Sequence, residues 1–147
     1  MRLAEGEHDY LRDHWDLLAA LRQAMRTEQT VRTAILIGSM ARGDDHQASD
    51  IDLLVERLDA SSLDRMRFGM RLGSKLGRRV DVASLEQAEG DPLTLLQVLD
   101  EGRVIVDREG RWASLRDRRP AIYKQANRSY MARRQRTAEM LEGLWES

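Results

Sequence analysis

Leu36-Ile37-Gly38-Ser39-Met40-Ala41-Arg42-Gly43-Asp44-Asp45-His46-Gln47-Ala48-Ser49-Asp50-Ile51-Asp52-Leu53-Leu54-Val55 is the stretch on which the fold turns. It opens as an apolar strand, breaks at Gly38-Ser39, and crosses a polar turn into a second strand carrying Asp50 and Asp52. Strand side chains alternate, so Ile51, Leu53 and Val55 take one face while Asp50, Asp52 and Leu54 take the other. Both carboxylates therefore leave the strand on the same side. Gly38 allows close backbone approach, and the hydroxyl and amide of Ser39, near the start of a helical turn, suit phosphate oxygens. Two carboxylates with phosphate oxygens and waters suit octahedral Mg²⁺. Arg42 is a candidate partner for a triphosphate, and Ser49 for a phosphate or for orienting the turn at Asp50.

Working outward, Asp9 to Arg26 places Leu11, Trp15, Leu18, Leu21 and Met25 on one stripe of a charged helix. Arg32 to Ile37 is the buried strand before the glycine, and Ala41 to Ser49 reads as a helical turn and loop. After the second strand, Ser61-Ser62-Leu63-Asp64 is a capped helix start. That helix is expected to reach Leu76, to turn Leu63, Met66, Met70 and Leu76 inward, and to stop at Gly77. Arg79 to Ser84 is a third strand with Val80 and Val82 on one face and Asp81 on the other. Lying beside the second strand, it lets Asp81 join Asp50 and Asp52, which completes a two-metal site favouring deprotonation of an acceptor hydroxyl.

Asp91-Pro92 starts another helix, with Leu93, Leu96, Val98 and Leu99 as its apolar face and Gly102 as its end. Arg103 to Val106 is a further strand. Pro120 marks a break, and Ile122 to Trp145 reads as a long final helix with apolar marks at Ile122, Ala126, Tyr130, Met140, Leu141, Leu144 and Trp145. Trp15, Trp112 and Trp145 are expected as core or interface anchors. The cluster Arg128, Arg133, Arg134 and Arg136 is expected as a solvated helix face, with an acidic partner or RNA as the alternative. His46 lies in the loop of the site and is given no catalytic role, because the metals and a base candidate are already supplied.

The residues also carry a resemblance. Gly38-Ser39, ten residues, then Asp50-Ile51-Asp52 resembles the Gly-Ser-x10-Asp-x-Asp signature of the minimal nucleotidyltransferases, in the polymerase-beta-like superfamily. The fuller form is met at Ala41, Arg42, Gly43, Ser49, Leu53 and Val55. The single-domain length and the later Asp81 resemble the MntA-type antitoxins of the HEPN/MNT toxin–antitoxin systems. The resemblance implies a polymerase-beta-like α/β (α+β) fold with a small mixed sheet flanked by helices. It implies two Mg²⁺ ions on Asp50, Asp52 and Asp81, with ATP as co-substrate. It further implies transfer of AMP to a tyrosine of a partner HEPN ribonuclease toxin, which silences it. ATP enters only through this resemblance, since nothing in the sequence reads adenine. The signature covers about 20 residues. A compatible order of elements extends to about residue 106, and no motif covers the segment after Trp112.

Two other readings stand beside this one. A small-molecule nucleotidyltransferase resembling the aminoglycoside-modifying enzymes shares the signature, but residues 112–147 are short for a drug-binding domain. A non-catalytic antitoxin would bind its partner through the final helix without needing Asp50.

Composition bounds the rest. The chain has 147 residues and 41% apolar composition, the scale of one domain with one core, read as a core at about 9–106 and a helical extension at about 112–147. It has no cysteine, which excludes disulfides and thiolate zinc sites and suits a reducing cytoplasm. No apolar run approaches the ~20 residues of a membrane span. Residues 1–110 hold 15 Lys/Arg against 21 Asp/Glu, and residues 111–147 hold 9 against 4, so a net −6 precedes a net +5. The near-neutral total argues against dedicated nucleic-acid binding.

Overall fold

The structure, a computed structural model, describes residues 5–43, 50–58 and 61–146, with side chains from residue 16 to residue 145 within them. In chain order it runs α1 (Glu5–Arg26), β1 (Val31–Ile37), α2 (Gly38–Arg42), β2 (Ile51–Arg57), α3 (Ser62–Leu76), β3 (Val80–Ser84), α4 (Leu85–Glu89), α5 (Pro92–Glu101), β4 (Arg103–Asp107), α6 (Arg111–Asp117) and α7 (Arg119–Glu146). The four strands form one mixed sheet in the order β3-β2-β1-β4. β1 pairs antiparallel with β2 and β4, and β2 pairs parallel with β3 across the α3 connection. The mixed α/β architecture with a small helix-flanked sheet is the one expected from the sequence.

Two cores lie on the two faces of the sheet. On one face Ile51, Leu53 and Val55 of β2 pack with Leu18, Leu21 and Met25 of α1 and with Phe68 and Leu72 of α3. On the other face Ile35 and Leu54 pack with Leu85 and Ala88 of α4, Leu95 and Val98 of α5, Trp112 and Leu115 of α6, and Ile122 of α7. The alternation along β2 is thus the one read from the sequence. Within β1, Val31 and Ala34 share a face although three residues apart, because the register with β2 shifts between Val31 and Thr33.

Local chemistry explains the helix ends. At α3 the Ser61 hydroxyl accepts from the Asp64 amide at 3.1 Å and donates to Asp64 Oδ2 at 2.7 Å. Gly77 closes that helix in the left-handed region, its amide donating to the Gly73 carbonyl. At α5 the Asp91 carboxylate accepts from the Leu93 amide, with Pro92 in the first turn.

Several expectations are corrected. Met66 and Met70 are 57% and 66% exposed, and Leu63 is exposed too. α3 buries Phe68, Gly69 and Leu72 instead. The reason is close backbone packing. A Cβ at Gly69 would lie 2.8 Å from the Val80 carbonyl oxygen, and one at Gly73 would lie 2.8 Å from that of Arg78. The glycine stripe seats the helix against β3, and this turns the methionines to the rim. On α5, Leu95 and Val98 are the deeply buried pair, with Leu96 and Leu99 beside them. α2 starts at Gly38, earlier than the turn expected at Ala41.

Helices α4 and α6 were not anticipated. α6 forms because the Asp107 carboxylate accepts from the Arg111 and Trp112 amides at 2.9 and 3.1 Å, capping a helix whose own first flank is Gly110. The Arg111 guanidinium then ties this helix start to Glu89 of α4 through two hydrogen bonds of 2.8 and 2.6 Å, and to Glu56 of β2. The break falls at Arg118, and Pro120 lies inside the first turn of α7, where a missing amide is tolerated.

On α7, among the described residues, only Ile122 and Ala126 are buried. Tyr130, Met140, Leu141, Leu144 and Trp145 are exposed, so Trp112 is a core residue and Trp145 is not. The side chains of Leu11 and Trp15 lie outside the described residues. Among the described residues no helix is long and apolar enough to cross a membrane.

Candidate nucleotidyl-transfer site

The β1–α2–β2 unit sets the geometry. Ile37 is in register with Asp52, so the first turn of α2 stands over the start of β2. Gly38 has φ +79, and a Cβ added there would meet Asp52 Oδ2 at 2.8 Å. Glycine is therefore required twice, for the left-handed backbone and for the space the carboxylate fills. Met40 and Ala41 are buried and anchor α2, leaving Ser39 half-buried above. The Arg103 guanidinium donates to the Ala41 carbonyl at 2.7 Å and braces the turn from β4.

The β2–β3 pairing brings in the third carboxylate. Asp52 and Asp81 are register partners in a parallel pair, and the Ile51 amide donates to the Arg79 carbonyl at 2.9 Å. Register partners in a parallel pair point to the same face. Asp50, Asp52 and Asp81 thus share one end of two adjacent strands, on the face away from α1 and α3. Asp52 is half-buried, while Asp50 and Asp81 are 46% and 48% exposed.

The electrostatics follow from that placement. Burial raises the Asp52 carboxyl above its ordinary value, the nearby Asp81 and Asp50 charges raise it further, and Arg79 partly offsets them. Arg79 Nε lies 3.3 Å from Asp81 Oδ1 and 3.9 Å from Asp50 Oδ2. The sequence reading overlooked this cation. Its signal was the spacing of two between Arg79 and Asp81, which on a strand puts both on one face.

Arg42 pairs with Glu101 of α5 at 3.5 Å, so a triphosphate contact would require that pair to open. Ser49 and His46 lie outside the described residues.

Among the described residues no three acidic or imidazole groups are already gathered at metal-ligating distance. The donor chemistry nevertheless fits a hard divalent cation. Asp50, Asp52 and Asp81 offer hard carboxylate oxygens at one end of the sheet, burial and then the neighbouring charges raise Asp52, and Gly38 leaves the space that its carboxylate fills.

Solved structures similar to the chain include three toxin–antitoxin structures. One, a toxin–antitoxin with AMP-PNP, has 23% identity and a TM-score of 0.58, covering 77% of this chain and 87% of that one. A second, the toxin–antitoxin MntA-HepT, has 19% identity and a TM-score of 0.56, covering 90% and 98%. The third, a tri-AMPylated Shewanella oneidensis HEPN toxin in complex with MNT antitoxin, likewise has 19% identity, a TM-score of 0.56 and coverage of 90% and 98%. At these identities the likeness is one of fold. No curated protein matches the sequence. The family model for polymerase beta and nucleotidyltransferases matches residues 20–111, from α1 through β4 to the first residue of α6. That span is well over half the chain and includes the glycine turn and all three carboxylates, so the chain belongs to the polymerase beta nucleotidyltransferase family.

Proposed function

We propose that the chain is the antitoxin of a HEPN/MNT pair and transfers AMP from ATP to a tyrosine of its HEPN-type partner protein. The observation that carries the reading is the union of Gly38, Asp52 and Asp81 at one end of β2 and β3 within a nucleotidyltransferase domain. The choice of acceptor is supported by the neighbouring structures, of which one is a toxin–antitoxin with AMP-PNP and another holds a tri-AMPylated HEPN toxin.

In this reading Gly38 and Ser39 hold the triphosphate through backbone approach and hydroxyl contact. Asp50, Asp52 and Asp81 are the residues that would hold Mg²⁺. When bound, such ions offset the triphosphate charge and lower the acidity barrier of the acceptor hydroxyl. The phenolic oxygen attacks the α-phosphorus, the bond from that phosphorus to the bridging oxygen breaks, and pyrophosphate leaves in line. The proton lost from the phenol passes to the Asp81 carboxylate, which is open to solvent, and from there to water. Arg79, which stands against Asp81 and Asp50, would have to yield these carboxylates to such an ion. The reading places the chain in the cytoplasm with its partner.

The competing small-molecule reading is weaker here. Among the described residues α7 buries only Ile122 and Ala126, and it packs chiefly on α5.

Intact mass of a co-produced HEPN-type protein tests the proposal. Wild type is expected to add one or more AMP masses, and Asp52→Asn to reduce the modified fraction by at least about a hundredfold. An unmodified partner held in a stable complex by both chains would sink the catalytic reading in favour of neutralisation by binding.

A further inference from the structure

Ile122 and Ala126 are the buried positions of α7, which packs chiefly on α5. Their side of the helix does not stop where the body of the fold stops. At about 3.6 residues per turn it continues through Tyr130, Thr137, Leu141 and Leu144. Tyr130, Arg133, Arg134, Thr137, Ala138 and Leu141 line one shallow hollow there. Yet every residue from Met131 to Trp145 is exposed, with Leu144 at 66% and Trp145 at 88%. The core-facing stripe thus overshoots its core by roughly 20 Å of helix. A helix of about 12–15 residues is marginal in water without packing, so this half calls for cover.

The charge along the same half is split. Arg128, Arg133, Arg134 and Arg136 come before Thr137, and Glu139 and Glu142 come after it. A helix with halves of opposite sign complements itself only when turned end to end. In a parallel pair arginine stands against arginine and glutamate against glutamate. In an antiparallel pair about a two-fold near Thr137, each arginine half meets the glutamate half of the other copy.

We propose that the outer half of α7 is an interface for a second copy of this chain, paired antiparallel about Thr137. The apolar positions match in the same arrangement. Tyr130 comes opposite Leu144, and Leu141 comes opposite Arg133, whose aliphatic stem can cover it. The two bodies stand at opposite ends of the helix pair and do not collide. A purely acidic partner would leave Glu139 and Glu142 unmatched, and the same two glutamates disfavour a nucleic-acid backbone. The pair buries less than the ~1,200 Å² of a standard interface, so the dimer is reversible, with a Kd on the order of micromolar. The inference stands apart from the transfer reading, since it needs neither Asp52 nor a nucleotide.

Sedimentation of the full chain across roughly 1–300 µM tests this, with monomer expected at the dilute end and dimer at the concentrated end. Arg134→Glu with Arg136→Glu turns the half acidic, and Glu139→Arg with Glu142→Arg turns it more basic. Each variant alone is expected to weaken self-association at least about tenfold, and an equimolar mixture of the two to restore it. All four positions are exposed, and an unaltered melting profile of the dilute monomers verifies the fold. The chain has no cysteine, so single cysteines report the orientation. On oxidation Thr137→Cys should join two copies, whereas Tyr130→Cys should join only to Leu144→Cys. A chain monomeric throughout, a dimer indifferent to the charge swaps, a mixture that stays monomeric, or Tyr130→Cys joined to itself each overturns the pairing. It is overturned too if the chain is monomeric and these variants instead loosen its complex with a HEPN-type protein, which would then be what covers the stripe.

Discussion

β2 and β3 each carry a carboxylate of the candidate site at the same register, yet the two strands treat it oppositely. Asp52 stands on an interior strand, half-buried, under the first turn of α2, and burial among like charges raises its carboxyl. Asp81 stands on the edge strand, nearly half its side chain exposed, with Arg79 3.3 Å away. One is preorganised at the expense of stability, and the other is reachable from outside. A transfer site needs both, because the donor must be held in place while a separate acceptor arrives. On the proposed reading the interior strand β2 holds the donor and the edge strand β3 meets the acceptor.

The sharpest way to break this comparison is Gly38→Ala. The new Cβ would press on Asp52 Oδ2 at 2.8 Å from a backbone at φ +79. The left-handed backbone alone costs about 1–2 kcal/mol, and the overlap adds to it. Urea unfolding should show a loss of about 3 kcal/mol, with nucleotide binding lost as well. A variant as stable as wild type would mean that Asp52 is not pinned in the way described.

A second, smaller effect separates the two strands. Gly69→Ala sets a Cβ 2.8 Å from the Val80 carbonyl oxygen, so α3 must move off β3. A loss of about 1–3 kcal/mol is expected. Transfer should fall more than AMP-PNP affinity, since Gly38 and Ser39 follow β1, one strand removed from β3. Equal damage to both parameters would deny the division between donor and acceptor strands.

The smallest effect is the most diagnostic of the electrostatics. Asp52 has a folded-state value above its ordinary 3.8, so between those two values the folded chain binds more protons than the unfolded one. Stability therefore falls as pH rises through that window, and above it the full penalty is present. In metal-free buffer Asp52→Asn should melt higher than wild type at neutral pH, with the gain shrinking as pH falls toward 3.8. Asp81→Asn, an exposed and salt-paired position, should shift stability at neutral pH by less than about 0.5 kcal/mol. Melting curves in a chelator, taken across the range, distinguish the two.

Much of this was legible in the chain. Strand alternation alone put Ile51, Leu53 and Val55 on one face and Asp50, Asp52 and Leu54 on the other, and both faces are as read. The caps at Ser61 and Asp91 and the stop at Gly77 were legible because each acts within a few residues of itself. The misreadings share a cause. Met66 and Met70 were assigned inward by a period that does not know where the neighbouring strand lies. α6 was missed because its cap, Asp107, belongs to the strand before it. The outer half of α7 reads as amphipathic enough to pack, but the body of the fold ends at about Ala126.

The sequence by itself determined the strand–glycine turn–strand unit, the common face of Asp50 and Asp52, and the ends of α3 and α5, because those rest on short-range sterics and a two-residue period. Only the tertiary structure decided that Asp81 is the register partner of Asp52, that Arg79 lies between two of the carboxylates, and that α3 meets β3 through Gly69 and Gly73. Those depend on which strands pair and how closely a helix can approach, and neither is encoded in any single stretch of chain.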